Sequence, residues 1–240
     1  MIDQLESTRI SKANTTWPVF RLKHLTRLIG GGTPAKADES FWTGGDVPWV
    51  SPKDMKTRII TDTEDHITTS AVDGAATKYV ESGSPLIVVR SGILKHTLPV
   101  ALAGCRLTLN QDMKAFVVTA TLDPEFLAYW IEGQSAELLL EWRQLGATVE
   151  SIDTRRMMNG RMALPSRDEQ RAIVNHLDNE VSKIDQAIST IGDLNSARVA
   201  PRGSLLALLL ERRSALITAA VTGVSHPARQ SQSARQKEAA

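Results

Sequence analysis

Two hydrophobic rhythms divide the chain. As far as about Pro165 the apolar runs are short and broken by Gly, Pro and Thr; beyond it they recur at helical spacing. In the first stretch Pro85-Leu-Ile-Val-Val89 and Ala115-Phe-Val-Val-Thr119 are short and rich in β-branched residues, which predicts buried strands. Pro99-Val-Ala-Leu-Ala103 is a weaker third, and Gly44-Gly45-Asp46 and Ser82-Gly83-Ser84-Pro85 mark turns. Leu22, Leu25, Leu28 and Ile29 stand at helical spacing and predict a helix over Val19 to Ile29. Pro124 to Trp142 predicts the longest helix of this stretch: Asp123 caps it, Pro124 takes the first position, and Gly133 marks a point where it splits. Strands and helices mixed without a βαβ rhythm give an α+β class.

After Pro165, Ser166 and Glu169 form a capping box. Ile173, Leu177, Val181, Ile184, Ile188 and Ile191 then follow in steps of four and three, a coiled-coil-like seam that needs a partner helix. Gly192 weakens this helix, and Pro201 and Gly203 break it. A second helix is expected from Ser204 to Val221, with Leu205, Leu208, Leu209, Leu216, Ile217 and Ala220 as its apolar positions, folded antiparallel or staggered against the first. The expected organisation is an N-terminal arm over residues 1–16, one mixed α/β domain over 17–165, a long helical spacer over 166–223, and a polar, disordered tail over 224–240.

Composition narrows the function classes. The 240 residues are 42% hydrophobic, enough for a core, but only 5% aromatic, so aliphatic side chains must fill it. The longest apolar run, Leu205 to Leu210, falls far short of the roughly 20 residues of a membrane span. The polar start, Met1 to Glu6, lacks the basic end and apolar centre of a signal peptide, and Cys105 is the single cysteine, so a cytoplasmic setting is expected. The net charge of +1 neither suggests nor excludes nucleic acid, because a balanced total can hide a local basic surface. Acids outnumber bases from Arg167 to Arg198, and bases prevail from Arg202 onward, where a solvated basic end is the simpler reading.

Motifs for catalysis are sparse. Gly30-Gly-Gly-Thr-Pro-Ala35 fits a dinucleotide fingerprint in letters only, since a helix is expected before it and Pro34 interrupts what should open the next one. There is no Walker A sequence, no His-Glu-x-x-His, no cysteine pair, no Gly-x-Ser-x-Gly and no Asn-Pro-Pro-aromatic run, and the five histidines are scattered. A non-enzyme without a metal is the expectation.

Several segments, in order, resemble the specificity (S) subunits of type I restriction-modification systems. They are Trp17-Pro-Val-Phe-Arg-Leu-Lys23, Gly31-Gly-Thr-Pro34, Phe41-Trp42 with Gly44-Gly-Asp-Val-Pro-Trp-Val-Ser51, Val89-Arg-Ser-Gly-Ile93, Leu109-Asn-Gln-Asp112, Gly146-Ala-Thr148 and Leu164-Pro165. Glu169-Gln-Arg-Ala-Ile173 through Ile184-Asp185, and Glu211 to Gly223, resemble the two ends of that family's helical spacer. The resemblance implies one target recognition domain that reads a half-site of a split double-stranded DNA target, and a spacer that docks methyltransferase and restriction subunits. It implies no catalysis in this chain; S-adenosylmethionine, ATP and Mg²⁺ are expected on the partner subunits. A half-length form of this kind would pair as a homodimer or with a second S chain. The segment between Ile184-Asp185 and Glu211 departs from the family, being longer and interrupted. The alternative reading is a dimerising adaptor, or a decayed S fragment, without specific DNA reading.

Candidate DNA contacts lie in loops beside the predicted strands: Lys53, Lys56 and Arg58; Arg90, Lys95 and His96; Arg155 and Arg156; and the amides Asn110 and Gln111. For the cations plain solvation is an equal alternative, and for Asn110 and Gln111 a structural hydrogen-bonding role competes. Trp42 and Trp49 read as core residues that anchor the Gly44-Gly45 turn. Ile173, Leu177, Val181, Ile184, Ile188 and Ile191 are the candidate helix-packing or dimerisation residues.

Overall fold

A computed structural model describes residues 2–14, 16–74, 77–195 and 203–224. The segment read as an arm contains a helix, α1 (Ile2–Ser11), which packs on the later helix α5 (Ser135–Trp142). Arg9 of α1 forks onto the Glu141 carboxylate at 2.7 and 3.0 Å, both side chains being under 5% exposed, and also donates to the Arg161 carbonyl. A charge this deep persists only when paired and hydrogen-bonded, as here.

The helix expected over Val19 to Ile29 does not form. The segment instead makes β1 (Val19–Arg21), a single helical turn α2 (Leu22–Leu25) and β2 (Thr26–Gly30). Leu22 and Leu25 keep the helical spacing for that one turn and are buried. Beyond them β2 pairs antiparallel with β9 (Met113–Val118), and β1 with β10 (Arg161–Ala163). These distant partners override local propensity, which is a weak prior.

The main sheet has the order β2, β9, β6 (Pro85–Val88), β7 (Val100–Ala103), β4 (Ile59–Ile60), antiparallel except for the β4–β7 pair. The three predicted strands are its centre. A small sheet joins β5 (His66–Ile67), β3 (Val47–Val50) and β8 (Thr108–Leu109), and with α3 (Thr69–Asp73) it encloses a minor core of Val47, Trp49, Ile67, Ala71 and Val72.

The long helical segment splits where Gly133 predicts, into α4 (Pro124–Gly133) and α5. Asp123 caps α4 by accepting from the Glu125 and Phe126 amides. From Phe126 to Ile131 every residue of α4 is buried, because the helix lies between the sheet on one side and the two spacer helices on the other. After the short α6 (Thr154–Asn159) and β10 comes α7 (Arg167–Asn195), opened by the Ser166–Glu169 capping box and unbroken at Gly192. Pro201 and the tail after Val224 lie outside the described residues. The last helix, α8 (Gly203–Thr222), folds back: the Arg213–Asp185 ion pair, at 2.9 Å, joins points equally far from the facing ends of the two helices.

The seam of α7 is therefore covered within the chain. Ile173, Leu177, Val181 and Ile184 are buried against α4 and α8, while Ile188 and Ile191 are half-buried. Gly133 permits the close crossing of α4 and α8, since a Cβ there would meet Ile217 Cγ2 at 2.9 Å, and its carbonyl accepts from Thr218 Oγ1. The other half of α8 has little to cover: Leu205, Leu208 and Leu210 are exposed. Among the described residues no helix is long and apolar enough to cross a membrane.

Candidate nucleic-acid interface

The candidate residues fall into three places. The first is an edge of the domain assembled from loops distant in sequence. The Val89 and Arg90 amides both donate to the Asp112 carbonyl, and the Arg90 guanidinium pairs with the Asp112 carboxylate at 3.1 Å. This ties the end of β6 to the Asn110-Gln111-Asp112 turn. Ser91 N–H donates to the Glu150 carbonyl and Ile152 N–H to that of Val89, which brings the loop of residues 143–153 alongside. Arg143 pairs with Glu150, and Arg156 donates to the Arg143 carbonyl. Asp153 caps α6 through the Arg155 and Arg156 amides and so sets both arginines in the first turn. Arg90, Gln111, Arg155 and Arg156 are thus brought together, and Lys95 and His96 follow Arg90 on an exposed 3₁₀ turn.

Within this edge the two amides differ. Asn110 is buried and its Oδ1 accepts from the Asp112 N–H, which holds the turn; Gln111 is exposed, bonded to Thr33 and Asp112. Gly31 lets the Thr33 loop approach, since a Cβ there would lie 2.0 Å from the Asn110 carbonyl oxygen. The tip of residues 144–149 turns at Gly146, whose φ is +78°, and exposes Leu145 and Val149. Arg143 is not among the residues singled out from sequence, although its place beside the Gly146 turn is a usable signal.

The second place is the small sheet. Lys53 pairs with both Glu64 and Asp65, at 3.0 and 2.9 Å, and Lys56 with Glu64. Hydrogen bonds to Asp65 and then Glu64 hold the Lys53 ammonium well above its ordinary pKa, and Lys53, then Lys56, hold Glu64 below its own. The cluster that looks basic in sequence is electrically balanced in space. Trp42 and Trp49 meet edge to face at 5.2 Å beside it; Trp49 is buried and donates to the Gly32 carbonyl, whereas Trp42 is half-buried.

The third place is the junction with the spacer, and it takes Arg58 away from its neighbours Lys53 and Lys56. The Arg58 guanidinium lies over the Tyr129 ring and pairs with Glu132 of α4 and Asp178 of α7. Tyr129 Oη donates to Asp178 at 2.7 Å, and Arg213 of α8 pairs with Glu132 and Asp185. Burial, followed by the Asp178 carboxylate as acceptor and neighbour, raises the Tyr129 phenol far above its usual range, with Arg58 opposing. Burial works against the Arg213 charge, yet Glu132 and Asp185 outweigh it and hold the pKa above its ordinary value. Among the described residues no group of three or more His, Cys, Asp or Glu is placed to hold a metal ion. What the loop edge offers is cations and amides, the groups that meet phosphates and base edges.

Residues 14–190 match the family profile described as the type I restriction modification DNA specificity domain. The chain is 38% identical over 157 residues to the specificity subunit of the type I restriction enzyme EcoR124I/EcoR124II of Escherichia coli, an alignment covering 65% of this chain and 39% of that protein. It is 27% identical over 173 residues to the MjaIX specificity subunit of Methanocaldococcus jannaschii, covering 71% and 39%. Two solved structures share the fold. One is a chain from a type I R-M system studied for its assembly and conformational transition (TM-score 0.55) and the other the HsdS subunit of Thermoanaerobacter tengcongensis (TM-score 0.53). Each is 20% identical, with 92% of this chain and 51% of the other covered. The chain spans about two-fifths of the length of the curated relatives it matches.

Proposed function

The chain belongs to the family of type I restriction modification DNA specificity domains, and from that premise we propose that it reads one half-site of a bipartite double-stranded DNA target. Its place is in a cytoplasmic assembly with methyltransferase and restriction subunits, which hold the S-adenosylmethionine, ATP and Mg²⁺; its own part is recognition and not catalysis. The observation that supports this most is the convergence of Arg90, Gln111, Arg143, Arg155 and Arg156, from four separate segments, on one loop edge. Arg155, which has no acidic partner among the described residues, is free to neutralise a phosphate, whereas Arg90, Arg143 and Arg156 do so by exchanging Asp112, Glu150 and Asp153 for phosphate oxygens. Gln111, with the amide chemistry to pair with adenine, contributes to base reading.

The other half-site needs a second recognition domain, supplied by another S chain. Because α4 and α8 already cover Ile173 through Ile184, pairing falls to the far end of the hairpin, where Ile188 and Ile191 are half-buried and Leu205, Leu208 and Leu210 are exposed. The test is DNA binding by the chain, with its methyltransferase partner, over a salt series. Alanine at Arg90, Arg155 and Arg156 is expected to weaken binding and lower the salt slope by about one for each phosphate left unneutralised. Unchanged slopes would take DNA away from this edge.

A further inference from the structure

Four buried donors lack an acceptor among the described residues: the Nε1–H of Trp17 and of Trp142, and one N–H each of Arg58 and Arg167. Of these, Trp142 alone lines a pocket with Arg21 and Arg156. The Trp142 indole is 1% exposed, and its Nε1–H meets no hydrogen-bonding partner. Leaving such a donor unmet is costly, so natural interiors rarely do it without a reason. Trp142 and Gly160 line a small pocket of about 140 Å³ between α1, β1, α5 and α6. Gly160 lies against the indole nitrogen: a Cβ there would stand 3.0 Å from Nε1.

The rim is cationic. Glu141 and Glu6 also line the pocket, but the first is held by Arg9 and the second by the Arg161 guanidinium and amide. Arg156 is balanced by Asp153 at 3.4 Å. Among the described residues the Arg21 guanidinium, in contrast, donates only to the Asn159 carbonyl, and the ammonium of its neighbour Lys23 only to Asn159 Oδ1. Neither has an acidic partner among the described residues. An uncompensated pair of cations beside a donor that lacks an acceptor calls for an anion bearing strong acceptor oxygens.

The geometry points to this pocket as a seat for a phosphate of the DNA backbone, with Trp142 Nε1–H and Arg21 donating to its oxygens and Lys23 and Arg156 flanking it. The inference rests on the DNA-reading proposal and extends the contact surface: Arg156 of α6 lines this seat and donates to the Arg143 carbonyl of the loop edge. A phosphate contact fixes register without reading sequence, so the seat serves every duplex alike.

The test is anisotropy of the full chain, in complex with its methyltransferase partner, on mixed-sequence DNA duplexes over a salt series, with the fold of each variant checked by its melting temperature. Trp142→Phe removes the donor and keeps a ring, and is expected to weaken binding roughly tenfold with the salt slope unchanged. Gly160→Ala, which fills the seat and keeps every charge, should also weaken binding. Arg21→Ala, at the exposed rim, should lower the slope by about one. If all three variants bind like the unsubstituted chain while Arg90→Ala weakens binding, the seat is refuted and DNA reading stands. Absence of DNA binding by the unsubstituted chain in complex with its methyltransferase partner would overturn both.

Discussion

The Arg58 guanidinium carbon sits 3.4 Å from the centroid of the Tyr129 ring, and that stack joins the recognition domain to its spacer. Arg58 is a loop residue beside β4, Tyr129 belongs to α4, and Asp178 of α7 binds both. Arg58→Ala is therefore expected to lower stability by about 1–2 kcal/mol, because it removes the cation–π stack and the packing of the side-chain stem, while the salt slope of DNA binding stays as it was. Thermal melting and a salt series measured together separate this from a phosphate contact, for which the slope would fall and the melting temperature hold.

The pair Arg9–Glu141 makes a sharper stability prediction. Removing one member strands the other charge in the interior, so Arg9→Ala should cost about 3–5 kcal/mol. Replacing both with apolar residues of similar size should return most of it. Denaturant titration of the single and double variants checks this, and equal losses in the two would contradict it.

The two ends of the helical hairpin should respond in opposite ways. Leu177 is fully buried, and Leu177→Ala is expected to cost about 2–5 kcal/mol even in a monomer. Leu208 is 59% exposed, so Leu208→Ala should change monomer stability by no more than about 0.5 kcal/mol, while weakening any association with a second S chain. Light scattering beside denaturant titration reads both quantities. A Leu208 variant that loses stability independently of protein concentration would place that residue in the folded core.

Glu125 gives a pH signature. Partial desolvation of this largely exposed side chain, then the nearby Asp178 and Asp123 carboxylates, raise its pKa above the ordinary 4.5, with Arg58 opposing. A carboxyl raised in the folded state contributes stability that is fully present below its unfolded pKa and lost as pH rises through the folded one. Glu125→Gln should thus raise the melting temperature at neutral pH and bring no gain below about pH 4. A melting temperature at neutral pH that is unchanged or lower would contradict the assignment.

What is legible in the sequence is local. The strands at Pro85 and Ala115, the break at Gly133, the Asp123 cap and the Ser166–Glu169 box depend on neighbours a few residues away, and all of them form. The β1–α2–β2 segment reads wrongly as one helix because its strands gain their partners from residues 113–118 and 161–163. Lys53 and Lys56 look basic because Glu64 and Asp65, the acids that balance them, come from the next turn of chain. Neither the Arg58 stack nor the orphaned Trp142 donor has any sequence signal, since each exists only once α4, α5 and the spacer are packed.

If this chain selects a DNA sequence for a methyltransferase, a methylation map shows it most directly. The chain would be expressed with a type I methyltransferase subunit that it binds, and methylated bases would be mapped in the host DNA. The expected result is a split site whose half-site specificity relaxes in Gln111→Ala and whose occupancy falls in the Arg90, Arg155 and Arg156 variants. A bound complex that methylates no defined sequence, or a site untouched by all four substitutions, would contradict it.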